Sequence, residues 1–128
     1  MASVINAVSG SGITQTADGS GVLKIQSNSV TTNALAWVNF NGAGTAAIRS
    51  SYNVSSVTRN GTGDYTVNFA TTLSDANYCA LVMAGDNTSN FFAQRSVTYT
   101  TTSYRFYVIN NSGGANDTQY GNVAIFGN

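Results

Sequence analysis

The acidic inventory of this 128-residue chain is five aspartates, Asp18, Asp64, Asp75, Asp86 and Asp117, and it holds neither histidine nor glutamate. With no His, and with Cys79 as its one cysteine, the chain cannot assemble a Ser-His-Asp triad, a Cys-His dyad or the usual zinc sites. Glycoside hydrolysis needs two carboxylates about 5 to 10 Å apart, one of them with a raised pKa. Asp18, Asp64 and Asp75 stand in turn contexts, where Asp is favoured for local hydrogen bonding. Asp86 and Asp117 fall in two long polar loops that could approach each other, although nothing in their spacing requires it. The chain therefore reads as a protein that is not an enzyme, with polysaccharide depolymerisation kept as the contrast class. Calcium is the one metal that oxygen ligands alone would suit. The segment 85–90, however, lacks the bidentate glutamate and the glycine of an EF-hand, so neither a metal nor any other cofactor is expected.

Binding is better supplied than catalysis. Sugar recognition lays aromatic rings against the apolar side of a pyranose and surrounds them with amides and carboxylates, on loops held by a rigid scaffold. The second half of the chain has both kinds, and the candidate ligand-binding residues are Asp86, Asn87, Asn90, Phe92, Arg95, Tyr107, Asn111, Asn116, Asp117 and Tyr120. Arg95 and Arg105 could offer a bidentate contact to an acidic sugar. Against this stands the plainer reading that aromatic residues in a small β-protein belong to its core or to an oligomer interface.

Charge narrows the partners. Lys24, Arg49, Arg59, Arg95 and Arg105 are scattered singly and balance the aspartates, for a net charge of zero with 8% charged residues, against about 25% in an average domain. No basic stripe is available to release counterions from a phosphate backbone, so nucleic acid is not expected as a partner. No apolar run approaches the roughly 20 residues of a helical membrane span, and the start Met1-Ala2-Ser3-Val4-Ile5-Asn6 lacks the layout of a signal peptide. Membrane insertion is not expected.

The elements that must position these residues are strands. Asn41-Gly42 and Asn60-Gly61-Thr62-Gly63 mark tight turns, since Asn and Gly tolerate the positive φ that hairpins demand. Asp64 to Ala70 alternates cleanly, Tyr65, Val67 and Phe69 against Thr66, Asn68 and Ala70. Ala47 to Thr58 alternates with a slip at Ser55-Ser56, which predicts a bulge or a bend. Tyr78 to Ala84 is apolar throughout, the pattern of a central strand covered on both faces, with Cys79 as a small buried hydrophobe. Phe91 to Tyr99 and Ser103 to Asn110 predict a second hairpin. The second of these strands has bulky groups on both faces, so one face needs cover from beyond the domain's own core or is a binding surface. Gln119 to Phe126 closes the chain as a strand.

The fold class expected is all-β: an antiparallel β-sandwich, jelly-roll-like or Ig-like, with an extended N-terminal arm. The arm spans residues 1–33, with one strand around Val22-Leu23-Lys24-Ile25-Gln26, and the sandwich spans 34–128. Ile5 and Ile13 on the arm, and Trp37 on the face of its strand opposite the core, are the candidates for an oligomer interface.

Trp37-Val38-Asn39-Phe40-Asn41-Gly42, Ile48-Arg49, Tyr52-Asn53-Val54-Ser55-Ser56 and Asn60-Gly61-Thr62-Gly63-Asp64-Tyr65-Thr66-Val67 together form a run from Ala36 to Phe69. This run resembles a segment found in C-terminal domains of tail fibres and related virion proteins of tailed bacteriophages, especially marine and cyanobacterial ones. The resemblance implies a virion module, made in the bacterial host cytoplasm and released by lysis, and it carries no binding residues across. A tail-fibre or receptor-binding module would be a homotrimer, attached to other virion proteins and binding a host cell-surface carbohydrate. The alternative is a purely structural virion part, a head-decoration or fibre-shaft protein.

Overall fold

The computed structural model describes residues 24–87 and 93–127. Within them the strands are β1 (Gln26–Ser27), β2 (Val30–Thr31), β3 (Ala36–Asn41), β4 (Ala47–Tyr52), β5 (Val54–Gly61), β6 (Asp64–Phe69), β7 (Cys79–Met83), β8 (Ala93–Tyr99), β9 (Ser103–Ile109) and β10 (Gly121–Phe126). β1 and β2 make a small hairpin of their own, turning through Asn28 and Ser29 at positive φ. The others form two four-stranded sheets, β4-β3-β10-β7 and β5-β6-β9-β8, with every pairing antiparallel. The expected β-sandwich is the observed architecture.

Alternation decides what lies between the sheets. Ala36, Val38 and Phe40 of β3 and Val123 and Ile125 of β10 face inward from the first sheet. Tyr65, Val67 and Phe69 of β6 and Tyr104, Phe106 and Val108 of β9 face inward from the second. Rings interlock across the gap, where Phe40 meets Tyr65 at 5.3 Å and Phe106 at 6.5 Å, both edge-on, and within the second sheet Phe106 lies 5.8 Å from Tyr65 and stacks on Tyr104 at 5.6 Å. Such pairs add about 0.5–1.5 kcal/mol each beyond the area they bury.

Asn53 is the corner where the chain changes sheets. At φ 51° it turns β4 of the first sheet into β5 of the second. Its amide donates to the Leu35 carbonyl at 3.0 Å and accepts from the Thr71 N–H at 2.7 Å, so three segments are pinned together. The slip expected at Ser55-Ser56 is present as a register shift between Val54 and Ser56.

Two expectations from the sequence fail. β7 is an edge strand rather than a central one: it pairs with β10 alone, and Cys79, Leu81 and Met83 point outward and are exposed. Cys79 is accordingly an exposed thiol and not a core hydrophobe. Continuous hydrophobicity cannot separate a strand buried by its own domain from one left bare on one face, because both read as an unbroken apolar run. The outer face of β9, which the sequence left needing cover, is half-buried by its own neighbours: Arg105 pairs with Asp64, and Tyr107 lies under Arg95 and Arg105.

The topology gathers the loops. The antiparallel registers put the β3–β4, β5–β6, β7–β8 and β9–β10 connections all at one end of the sandwich. The polar segments that hold Asp86 and Asp117 are therefore neighbours where they are described, joined through Gly85.

Candidate functional site

The loop end is built on Gly85. Its N–H donates to the Tyr120 carbonyl and the Thr118 hydroxyl, and its carbonyl accepts from the N–H groups of Gln119 and Tyr120 at 3.0 and 2.9 Å. The buried Thr118 hydroxyl also donates to the Gly85 carbonyl at 2.8 Å. These bonds fasten the start of the β7–β8 loop to the end of the β9–β10 loop. On that base the Tyr120 hydroxyl donates to Asn87 Oδ1 at 2.8 Å, and the Arg49 guanidinium lies 5.3 Å from the centre of the Tyr120 ring. Arg49 is fixed in turn by the carbonyls of Phe40 at 2.9 Å and Gln119 at 2.7 Å. Tyr120 is nevertheless 44% exposed, so this corner presents an aromatic ring, an amide and a held cation to solvent.

Asp117 does different work. Arg59 grips its carboxylate with two nitrogens at 2.8 and 2.9 Å, and the Gly63 N–H donates to it at 2.9 Å. The Tyr65 hydroxyl sits 2.9 Å from the same carboxylate and accepts from the Thr118 N–H at 3.2 Å. Burial alone would raise the Asp117 pKa, but the hydrogen bonds from Arg59, Gly63 and Tyr65 outweigh it and hold the group below its ordinary value. That is opposite to what a general acid needs. Burial raises the Tyr65 hydroxyl well above the ordinary tyrosine range, with Asp117 adding to the effect. The network ties the β5–β6 turn to the β9–β10 loop, and Gly63, at φ 67°, is the point where no side chain fits: a Cβ there would lie 2.6 Å from the Val108 carbonyl oxygen.

A second cluster of predicted residues lies on the outer face of the second sheet. Arg95 and Arg105 lie 5.1 and 5.7 Å from the centre of the Tyr107 ring. Arg105 is already engaged, with Nε and Nη2 at 2.9 and 2.6 Å from the two oxygens of Asp64. Hydrogen bonding to Arg105 is the main reason that the Asp64 pKa lies below its ordinary value. Arg95 is exposed and, among the described residues, makes no ion pair.

The predicted residues thus separate. Asn87 and Tyr120 come together at the loop end, and Arg95 and Tyr107 come together on the second sheet. Asp117 is consumed by the fold, and Asn116 largely so: its amide donates to the Asp117 carbonyl at 3.0 Å and its N–H pairs with Val108. Asn111 is exposed in a turn closed by Asn110 and by Gly113 at φ 80°, with no contact to either cluster among the described bonds. Asp86 sits beside Asn87 in the same loop. Asn90, Phe92, Ile5 and Ile13 lie outside the described residues, as does part of the segment weighed for calcium. Trp37 points outward, as its phase predicts. The residue missed by sequence reasoning is Arg49, whose only signal was a lone cation within a strand of small residues.

A search of family models, of characterised proteins and of solved structures gives no match to this chain.

Proposed function

We propose that this chain is a virion module of a tailed bacteriophage, a tail-fibre or receptor-binding domain that attaches to a host cell-surface glycan without catalysis. The observation that carries the reading is the loop end. There, two loops are bonded into one platform by Gly85, and it presents Tyr120 beside Arg49 and Asn87 on a rigid sandwich. An exposed ring with an amide at its rim suits a pyranose face, and preformed loops lose little entropy on binding. The likeness of the Ala36 to Phe69 run to tail-fibre segments supplies the setting: a particle surface, with other virion proteins as neighbours.

The test is binding to a glycan array and to a panel of bacterial cells, with Tyr120→Ala and Arg49→Gln as the variants. The expected result is wild-type retention that each variant lowers at least about tenfold, the scale of about 1.4 kcal/mol. Absence of wild-type binding to every cell and glycan, with the fold intact, would sink the reading.

The second reading, a structural virion part, is favoured by one specific feature: Trp37, Leu81 and Met83 stand exposed together on the outer face of the first sheet. It predicts co-sedimentation with particles and no retention on glycans.

A further inference from the structure

From the way the charges are gathered we infer that the glycan taken at the loop end is an acidic one, its carboxylate met by Arg49 while its ring lies along Tyr120. The inference rests on the glycan reading and names the class of sugar. The chain's four arginines all stand in the loop-end half of the sandwich. Arg49 and Arg95 are the third residues of β4 and β8, Arg59 is the third from the end of β5, and Arg105 reaches Asp64 at the start of β6. Asp64, Asp86 and Asp117 share that end, whereas Asp75 lies in the β6–β7 connection at the other. In a chain of zero net charge, the loop end therefore holds one cation in excess.

Pairing decides which cation is left to act. Arg59 closes on Asp117 at 2.8 Å and Arg105 on Asp64 at 2.6 Å, and these are the ion pairs among the described residues. The fork of Arg105, expected from the sequence to meet an acidic sugar, is thus spent inside the fold. Arg49 is held differently. Its two terminal nitrogens donate to the carbonyls of Phe40 and Gln119, which are neutral, so the guanidinium keeps its charge and its other N–H groups. Asp86, one residue before Asn87, forms no ion pair with it. The side chain is exposed yet already placed by β3 and the β9–β10 loop, so an anion meets a cation whose ordering is complete before binding. Arg95, the other arginine outside an ion pair, repeats the pairing of cation with ring, 5.1 Å from the centre of Tyr107.

Tyr120 supplies the other half of the contact. Its ring is 44% exposed, its hydroxyl is tied to Asn87, and the Arg49 guanidinium lies 5.3 Å from its centre. In a uronic acid the carboxylate is bonded directly to the pyranose ring, so a sugar resting along Tyr120 brings its carboxylate to the guanidinium beside it. The planar fork of Arg matches a carboxylate in shape as well as in charge. A neutral hexose would use the ring and leave the cation without an anion.

The experiment presents the full chain with an array of glycans that carry uronates or other carboxylate sugars, each beside its carboxyl-reduced form, with sulfated and phosphorylated glycans on the same array. The wild type should hold at least one carboxylate glycan about tenfold more tightly than its reduced form. That preference should fade as salt rises from about 0.01 to about 1 M, over which the Debye length shrinks from about 30 to about 3 Å. Arg49→Gln should abolish the preference between the two forms, whereas Tyr120→Ala should weaken both forms and keep it. Should Arg49→Gln fail to fold by circular dichroism, the salt series on the wild type decides. Equal binding of both forms, retention on sulfate or phosphate esters alone, a preference indifferent to salt, or one that survives Arg49→Gln would overturn the inference and leave the glycan reading standing. Retention on no glycan at all would remove both.

Discussion

The two sheets present opposite outer faces to solvent although they share one alternation rule. On the second sheet the outward residues bond to one another. The Asn68 amide donates to the hydroxyls of Ser56 and Thr58, that of Asn60 reaches Asp64 and Thr66, and Arg105 closes on Asp64. On the first sheet the outward residues include Trp37, Ala124, Leu81 and Met83, with the Asn39 amide donating to Asn122 Oδ1 among them. One face is knitted together by its own side chains, and the other carries exposed apolar ones among the described residues. Inward residues, by contrast, are alike in kind and burial on both sheets. The difference between the sheets therefore does not lie in how they fold, but in what the finished fold offers outward.

The largest effect should be blind to that difference. Phe40→Ala from the first sheet and Phe106→Ala from the second each empty a fully buried position. Each should cost about 3–5 kcal/mol in chemical denaturation. A loss from one sheet several-fold smaller than from the other would break the symmetry of the core.

Intermediate effects should arise where the ion pairs are. Asp117→Asn weakens the grip of Arg59 and the bonds from Gly63 and Tyr65, and should lower stability by about 1–3 kcal/mol. Asp64 and Asp117 both have pKa values below the ordinary 3.8 when folded. The unfolded chain therefore takes up more protons as pH falls, and stability from both groups is intact above about pH 4 and lost below it as pH drops through the folded values. Acid titration followed by circular dichroism should show a shallower loss in Asp64→Asn and Asp117→Asn, each starting from a lower plateau at neutral pH. A variant with the wild-type acid slope would mean that its carboxylate is not held as described.

The smallest effects should separate the outer faces. Leu81→Ser, at a position already exposed, should change thermal stability of the single chain by no more than about 0.5 kcal/mol. Asn68→Ala removes two side-chain bonds on the second sheet and should cost slightly more, about 0.5–1 kcal/mol. Differential scanning calorimetry at low protein concentration would resolve the order, and the reverse order would undo the contrast.

Much of this was legible from local pattern. The alternation of β3, β6 and β9 and the slip near Ser55 follow from side-chain period, and the turns after β3 and β5 were placed, although their positive φ falls on Gly44 and Gly63 while the Asn41-Gly42 and Asn60-Gly61 pairs lie at strand ends with negative φ. The outward placement of Trp37 came from the same count. The site was legible in kind more than in membership. Asn87 and Tyr120 were named and do meet, but Asp117 has the same loop-and-Asp signature as a ligand while serving as a structural pin. Nothing within a few residues of Asp117 announces Arg59, which is far away in the chain.

What the sequence by itself determined is the all-β pattern, most of the strands and the near-absence of charge, because each is a property of residues close together in the chain; that the run from Ala47 to Thr58 divides at Asn53 between two sheets, and that 26–31 is a hairpin, was not in the pattern. Only the tertiary structure decided that β7 stands at an edge, that Asp64 and Asp117 are neutralised by Arg105 and Arg59, and that the two polar segments share one end. The reason is physical: pairing order and ion-pair choice are set by which segments meet after folding, and those contacts are separated by tens of residues in the chain.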